Sequence, residues 1–400
     1  MKNEGSSSPL KTCIGALLLG GTATGAGMLA LPLVTASGGL IPAWGMYFLC
    51  WIFSIATGFL FVELCLWLPQ NANLSSMATH FLGKWGKMVV WALYIFLFYS
   101  LIIAYVAGGG HLVSIFLGDH CPAWLGTIFF LFFFSLFVYF GTQIAGKINA
   151  ILMGGLIISY LLFIAWGSLH VDPIGIQLWG WKGALLGLPV IFTSFSYQGT
   201  IPSVFEYLDR DPKKIKVAIV SGTTIPFVAY IVWDFIIKGI VPVEGQQGLL
   251  AAAAMGVTAV EPLRHFIQSP AIYGIGNFFA FFALTTSFIG VSLGLIDFLS
   301  DGLKIAKTGK NKLYLCVLIY VPAFIITMTN PTIFLKALGL GGGFGCVLLL
   351  GFLPALMIWV GRYKERYPAS TRQLPGGRAA LGILFAFILF EITISVFSQL

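Results

Sequence analysis

The sequence predicts an all-α polytopic membrane protein of about eleven transmembrane helices. Three observations carry the prediction. Hydrophobic residues make up 58% of the chain and charged residues only 9%, where a soluble domain carries about 25% charged residues. Apolar runs of about 20 residues, the length that crosses a hydrocarbon core, recur from end to end. Lysine and arginine gather in alternate connections, which is the signature of a membrane-crossing chain with a fixed orientation. A soluble globule is excluded, and no domain boundary interrupts the pattern.

Taken in order, residues 1–11 form a short polar tail. Span 1 runs to about Ala36 and is too long for a signal-peptide core, so it is expected to stay attached. Spans 2 to 5 cover about Trp44 to Leu68, Met88 to Leu117, Ala123 to Gly141 and Ile148 to Gly167. Span 6 covers about Ala184 to Leu208 and span 7 about Val217 to Val241. The alanine-rich, amphipathic stretch from Gly245 to Gln268 reads as surface helix rather than a crossing. Spans 8 to 11 follow at about Ala271 to Leu303, Leu313 to Thr329, Phe334 to Val360 and Ala379 to Phe397.

With the N-terminus inside, the cytoplasmic segments hold Lys2, Lys11, Lys84, Lys87, Lys147, Arg210, Lys213, Lys214, Lys216, Lys304, Lys307, Lys310, Lys312, Arg362, Lys364, Arg366, Arg372 and Arg378. Those are eighteen of the 22 basic residues, a bias that one missed span would scramble. Eleven crossings then put the C-terminus in the periplasm. The net charge of +8 is explained by loops that face an anionic inner leaflet, and nucleic acid is not needed as a partner. The six cysteines show no CxxC pair, so they read as small core residues rather than disulfides or metal ligands.

The stretch Leu17 to Pro32, LLLGGTATGAGMLALP, is apolar yet holds Gly20, Gly21, Gly25 and Gly27. Each interior glycine costs a helix about 1 kcal/mol against alanine. Four so close together invite the helix to open at mid-membrane, where bare main-chain atoms are tolerated only around a protein-lined cavity. Opened amides can hold a carboxylate, and freed carbonyls can face a cation. Close helix packing is the alternative, since Gly21 and Gly25 also make a GxxxG pattern. At about 100° per residue, however, the four glycines spread too widely for one seam.

Span 6 holds a second such stretch, Pro189 to Pro202, with Thr193, Ser194, Ser196, Gln198 and Thr200 beside Gly199. Interrupted helices thus open spans 1–5 and spans 6–10. Five is odd, so the two runs enter the membrane from opposite sides, as an inverted-topology repeat requires. The expected organisation is repeat 1 over 12–170, repeat 2 over 184–360 and an extra helix over 379–398, all in one transport domain.

Three segments carry a resemblance: Gly21 to Pro32, Phe192 to Ser203, and Thr286 to Asp297. They resemble the hydroxy and aromatic amino acid permeases, and the likeness covers nearly the whole chain. It implies a leucine-transporter-like fold of 5 + 5 inverted repeats and ion-coupled import of an aromatic amino acid across the bacterial inner membrane. Tyrosine is the favoured substrate, with tryptophan and phenylalanine next, and the unit is a monomer. The resemblance puts the substrate carboxylate on the amides of Ala26 and Gly27, beside Gly25. It puts the amino group near Thr22, Ala23, Thr193 and Ser196. Tyr105, in Ala104-Tyr-Val-Ala-Gly, would approach the carboxylate; ordinary packing is its other reading. Phe195 and Tyr197 would sandwich the ring, an arrangement worth about 0.5–1.5 kcal/mol beyond burial.

Two departures bear on specificity and coupling. Similar permeases read Phe/Tyr-His-Gly where this chain has Tyr197-Gln198-Gly199, and glutamine cannot carry a proton. A lysine that relatives carry in span 5 is Leu156 here. The resemblance implies H⁺ symport, whereas the missing lysine leaves Gly21, Thr24, Thr285, Thr286 and Ser287 as a candidate Na⁺ set. No other cofactor is implied. Gln198 also keeps open a serine/threonine or other neutral amino acid permease.

Ionisable residues at membrane depth are functional candidates by default. Glu63 reads either as a proton acceptor or as an interfacial carboxylate paired with a loop lysine. Asp234 and Lys238 stand four apart, a spacing that permits an ion pair. Glu206, Asp297 and Asp301 lie near span ends and are expected to snorkel. An intramembrane enzyme is disfavoured: HExxH, GxSxG and paired carboxylates are missing, and His80, His111, His120, His170 and His265 are scattered. A channel would need a repeated filter or charged ring.

Overall fold

The computed structural model describes residues 8–70, 72–118, 121–172, 179–267 and 269–399, with the side chains of Ser8, Lys182 and Gln399 excepted. Most of the polar tail and His120 lie outside the described residues. Among the described residues, nine helices are long and apolar enough to cross a membrane. They are α3 (Leu40–Trp67), α4 (Leu74–Leu117), α5 (Ala123–Phe140), α6 (Thr142–Gly167), α10 (Pro212–Ile240), α13 (Pro270–Leu303), α14 (Gly309–Thr329), the long helix beginning with α15 (Ile333–Leu340), and α17 (Gly377–Gln399).

Two further apolar segments are made of shorter pieces. The first is α1 (Ser8–Ala23), a 3₁₀ turn over Ala26–Leu29, and α2 (Leu31–Val34). The second is α7 (Trp181–Leu186), α8 (Leu188–Ser194), a 3₁₀ turn over Gln198–Thr200, and α9 (Ile201–Tyr207). Pro32, Pro189 and Pro202 each stand at the start of a short helix, where the missing N–H costs nothing. Two short helices, α11 (Leu249–Met255) and α12 (Leu263–Phe266), occupy the amphipathic connection before α13.

The helices pack as lipid-solvated bundles do, through small residues and interlocking rings rather than a hydrophobic drive. At the α1–α10 crossing, a Cβ on Gly20 would stand 2.5 Å from the carbonyl oxygen of Gly222. Close packing therefore accounts for Gly20, while Gly21 has only the Met153 methyl nearby, 3.6 Å from where a Cβ would sit. Deeper in the bundle, Trp233 of α10 packs between Phe163 of α6 and Phe279 of α13, with ring centroids 5.1 and 5.0 Å apart.

Two elements differ from the sequence expectation. Helix α4 begins at Leu74, well before Met88, and bends at Gly83, whose φ of 67° breaks the ladder. The helix through span 10 winds as π-helix from Gly341 to Phe352, returns to α over α16 (Leu353–Trp359), and widens again over Val360–Lys364. Such wide turns cluster at functional sites.

Candidate functional site

The two discontinuities meet side by side. Helix α1 stops at Ala23, and Gly25 is extended, with φ −148° and ψ −166°. Helix α8 stops at Ser194, and Phe195 to Tyr197 leave the helical path before the next 3₁₀ turn. Tyr230 of α10, fully buried, reaches both ends: its hydroxyl lies 2.6 Å from the carbonyl oxygen of Ala23 and 2.8 Å from that of Ser194. A hydroxyl carries one proton, so the two carbonyls share a single donor. The Phe195 ring meets Tyr230 edge-on at 5.1 Å.

On the other side of the junction, the Ala26 amide donates to Ser287 Oγ of α13 at 3.1 Å. Tyr105 of α4, 6% exposed, has its hydroxyl turned toward the same Ser287. Gly25 and Gly27 leave room that a side chain would fill: a Cβ on Gly25 would lie 2.8 Å from Ser287 Oγ, and one on Gly27 would collide with Ser194 Oγ. The junction thus gathers Ala23, Gly25, Ala26, Gly27, Tyr105, Phe195 and Ser287, together with Tyr230 and Ser194.

The remaining hydroxyls bond to backbone carbonyls, mostly within their own turns. Thr22 donates to Leu18, Thr24 to Gly20, Thr285 to Phe281 and Thr286 to Phe282, at 2.7–2.8 Å. Ser196 donates to the Thr193 carbonyl at 2.6 Å, and Thr193 shares its proton between Pro189 and Leu338 of α15.

Tyr197 and Gln198 face away from the junction. The Tyr197 hydroxyl donates to Ser54 of α3 at 2.9 Å, and the Gln198 amide donates to Thr57 of α3 at 3.0 Å. Gln198 Oε1 accepts from the Tyr197 amide at 2.9 Å. Both side chains are spent on holding the second break against α3, so Phe195 and Tyr197 do not flank a common space. Gly199 has open space where a side chain would go.

Glu63 is fully buried and its partner is not a lysine. Arg362 grips it through Nε and Nη2, both at 2.7 Å, and the Gln373 amide adds a third bond at 2.9 Å. Arg362, expected among the loop cations, is instead buried at the end of the wide helix. Asp234 and Lys238 do pair, at 3.1 Å, and Lys238 also donates to Thr35 and Gly39 just beyond α2. Glu206 pairs with Arg210 and Asp297 with Lys307, near the helix ends. Sequence reasoning overlooked Tyr230 and Glu391 of α17, and it named Ser194 only as one of the polar residues of the second break. The signal for Glu391 was its place in the buried 3–4 stripe Leu381, Leu384, Ile388, Glu391, Ser395, where helical periodicity predicts an apolar residue.

Bundle and junction together define the class: a polytopic α-helical membrane protein. A solved manganese transporter of Eremococcus coleocola, crystallised with an aromatic bis-isothiourea substituted compound, has a similar fold. It aligns with a TM-score of 0.63 at 13% identity, over 99% of this chain and 88% of that one. The model of the tryptophan/tyrosine permease family matches residues 10–395, and the chain belongs to that family. It is similar to a tryptophan-specific transport protein of Pseudomonas aeruginosa, 29% identical over 385 residues, 93% of this chain and 91% of the relative. It is likewise 29% identical to tyrosine-specific transport system 1 of Haemophilus influenzae, over 88% of each chain. The chain is a bacterial multi-pass inner-membrane protein and a secondary transporter of an aromatic amino acid.

Proposed function

We propose that this transporter imports tyrosine, with tryptophan and phenylalanine as further substrates, by proton symport. Alternating access runs between two inverted five-helix halves, residues 12–170 and 184–360, with the helix over 379–398 outside the repeat. Span 1 and span 6 are the interrupted pair, the N-terminus is cytoplasmic and the C-terminus periplasmic. The transport unit is a monomer whose basic loops face anionic inner-leaflet lipid.

One observation supports this reading most: the single hydroxyl of Tyr230 between the carbonyl ends of both interrupted helices. Two carbonyls that share one donor retain acceptor capacity, and an ammonium with three donors fills it. The substrate amino group takes the Ala23 and Ser194 carbonyls, with Thr22, Thr193 and Ser196 lining the approach. Its carboxylate displaces Ser287 Oγ from the Ala26 amide and adds the Gly27 amide, with Tyr105 closing over it. Amides at the start of the turn after the break favour an anion. The Phe195 ring packs edge-on against the substrate ring.

Labelled tyrosine uptake into proteoliposomes, competed by each of the twenty amino acids with and without sodium, tests the reading. Tyrosine, tryptophan and phenylalanine should compete best, under an inwardly directed proton gradient (outside acid) and without sodium. Stronger competition by serine or threonine would replace the substrate assignment. A requirement for sodium would instead favour Gly21, Thr24, Thr285, Thr286 and Ser287 as an ion site.

A further inference from the structure

Three carboxylates are fully buried within the membrane-crossing helices among the described residues: Glu63, Asp234 and Glu391. Two of them hold a cation, Glu63 the Arg362 guanidinium and Asp234 the Lys238 ammonium. Glu391 of α17 holds none. Its Oε1 accepts from Ser395 Oγ, one turn on, at 3.2 Å. Its Oε2 is shut off from solvent and has no partner among the described residues.

Among the described side chains, none offers it an opposite charge. Cys50 of α3 and Cys346 of the wide helix are the titratable groups that face it. Lys336 of α15 is exposed, and Arg362 is committed to Glu63. One turn before Glu391, Phe387 packs on Phe53 at 4.8 Å, and Phe53 packs on Phe192 of α8 at 5.1 Å. An ionised carboxylate in such a place lacks the paired partner that would offset the cost of its desolvation. Binding one proton removes that cost.

Glu391 is also mechanically connected to the junction. Gly343 of the wide helix presses against Ser395, the one side chain that bonds Glu391, so closely that a Cβ there would overlap it. The preceding residue, Gly342, presses in the same way on the Pro189 carbonyl and the Thr193 hydroxyl of α8. Thr193 in turn donates to Leu338, one turn before the wide winding begins. Two adjacent glycines are thus wedged between the carboxylate's helix and the helix whose end at Ser194 meets Tyr230.

We propose that Glu391 is the group that binds the transported proton. Its carboxylate takes H⁺ at Oε2 to become the acid on the side of higher proton concentration, and returns it as H⁺ on the other side. The charge change is felt through Ser395 and the Gly342–Gly343 contact by the second interrupted helix. This inference rests on the proton-symport reading above and assigns it a residue outside the repeated halves.

The test uses the full chain in proteoliposomes and three measurements with labelled tyrosine: accumulation under an inwardly directed proton gradient (outside acid), counterflow without a gradient, and proton entry reported by a trapped pH dye. Glu391→Gln keeps size and shape. It is expected to lose gradient-driven accumulation and tyrosine-coupled proton entry while retaining counterflow. Glu391→Asp, which keeps an ionisable oxygen, should restore accumulation with a displaced pH profile. Wild-type accumulation and proton entry in Glu391→Gln overturn the assignment. Loss of counterflow together with accumulation, in a variant that still elutes as a monodisperse species, overturns it too, because that marks a general structural role. If wild-type protein exchanges tyrosine but sodium alone drives accumulation, the assignment falls and aromatic import stands. If wild type exchanges no aromatic amino acid, both fall.

Discussion

The hydroxyl of Tyr230 lies 2.6 Å from the carbonyl oxygen of Ala23, the last residue of α1. The same hydroxyl reaches Ser194 at the end of α8, so one proton holds two helix ends that α-helical bonding cannot satisfy. Replacing Tyr230 with Phe keeps the ring against Phe195 and strands both carbonyls. An unsatisfied buried group costs about 1–3 kcal/mol of stability, so the thermal midpoint should fall although the ring contact survives. With both helix ends released from their common donor, the junction is no longer held in place and uptake kcat/KM should fall as well, by roughly 5-fold or more. Initial uptake rates over a substrate series check this; unchanged kcat/KM would remove Tyr230 from the site.

Gly25 tests the opening itself. An alanine there would bring a methyl within 2.8 Å of Ser287 Oγ, and overpacking of this kind costs about 1–3 kcal/mol. Gly25→Ala should weaken tyrosine binding by a comparable factor, and pairing it with Ser287→Gly should recover much of the loss. Equilibrium binding to detergent-solubilised protein measures both.

The Glu63–Arg362 pair is a structural clamp, and its mutants should behave accordingly. Removing one partner of a buried pair costs about 3–5 kcal/mol, because the other charge is left without compensation. Glu63→Leu and Arg362→Met should each lower the thermal midpoint and folded yield sharply. The double variant Glu63→Leu/Arg362→Met should recover most of the loss. Thermal unfolding followed by size-exclusion chromatography reports the cycle; additive losses would mean that the two groups do not interact.

Gln198 should prove indifferent to the substrate ring. Its side chain is committed to Thr57 and the Tyr197 amide, so Gln198→Leu should cost stability of about 1–3 kcal/mol. The order in which the twenty amino acids compete should not change. A reordering toward or away from aromatic competitors would return Gln198 to the binding surface.

Much of the bundle was legible because membrane crossings announce themselves by length and apolarity. The ends of α5, α13 and α17 fall within a few residues of the expected positions, and α6 ends where expected but starts six residues earlier. The early start of α4 was hidden because Leu74 to Leu82 is amphipathic rather than apolar, and only Gly83 marks the bend. Glycine and proline spacing pointed to both discontinuities, since local backbone cost is written in the local sequence. Side-chain direction is not written there. Whether Gln198 turns toward a ligand or toward Thr57 depends on α3, some 140 residues away. Arg362 illustrates the same limit: a cation counted with a loop is drawn into the protein by a carboxylate almost 300 residues earlier. Tyr230 was missed for the same reason, being one hydroxyl among many until the helices assemble, and Ser287, named as a cation ligand, meets the Ala26 amide instead.

The wide winding from Gly341 to Phe352 has a geometrical corollary. It stands between Leu338, whose carbonyl receives Thr193, and Arg362, which clasps Glu63. A rod that changes its number of residues per turn must twist one end against the other. Any return of this stretch to ordinary α pitch would therefore act as a screw, trading rotation at the Arg362 end for displacement beside Thr193.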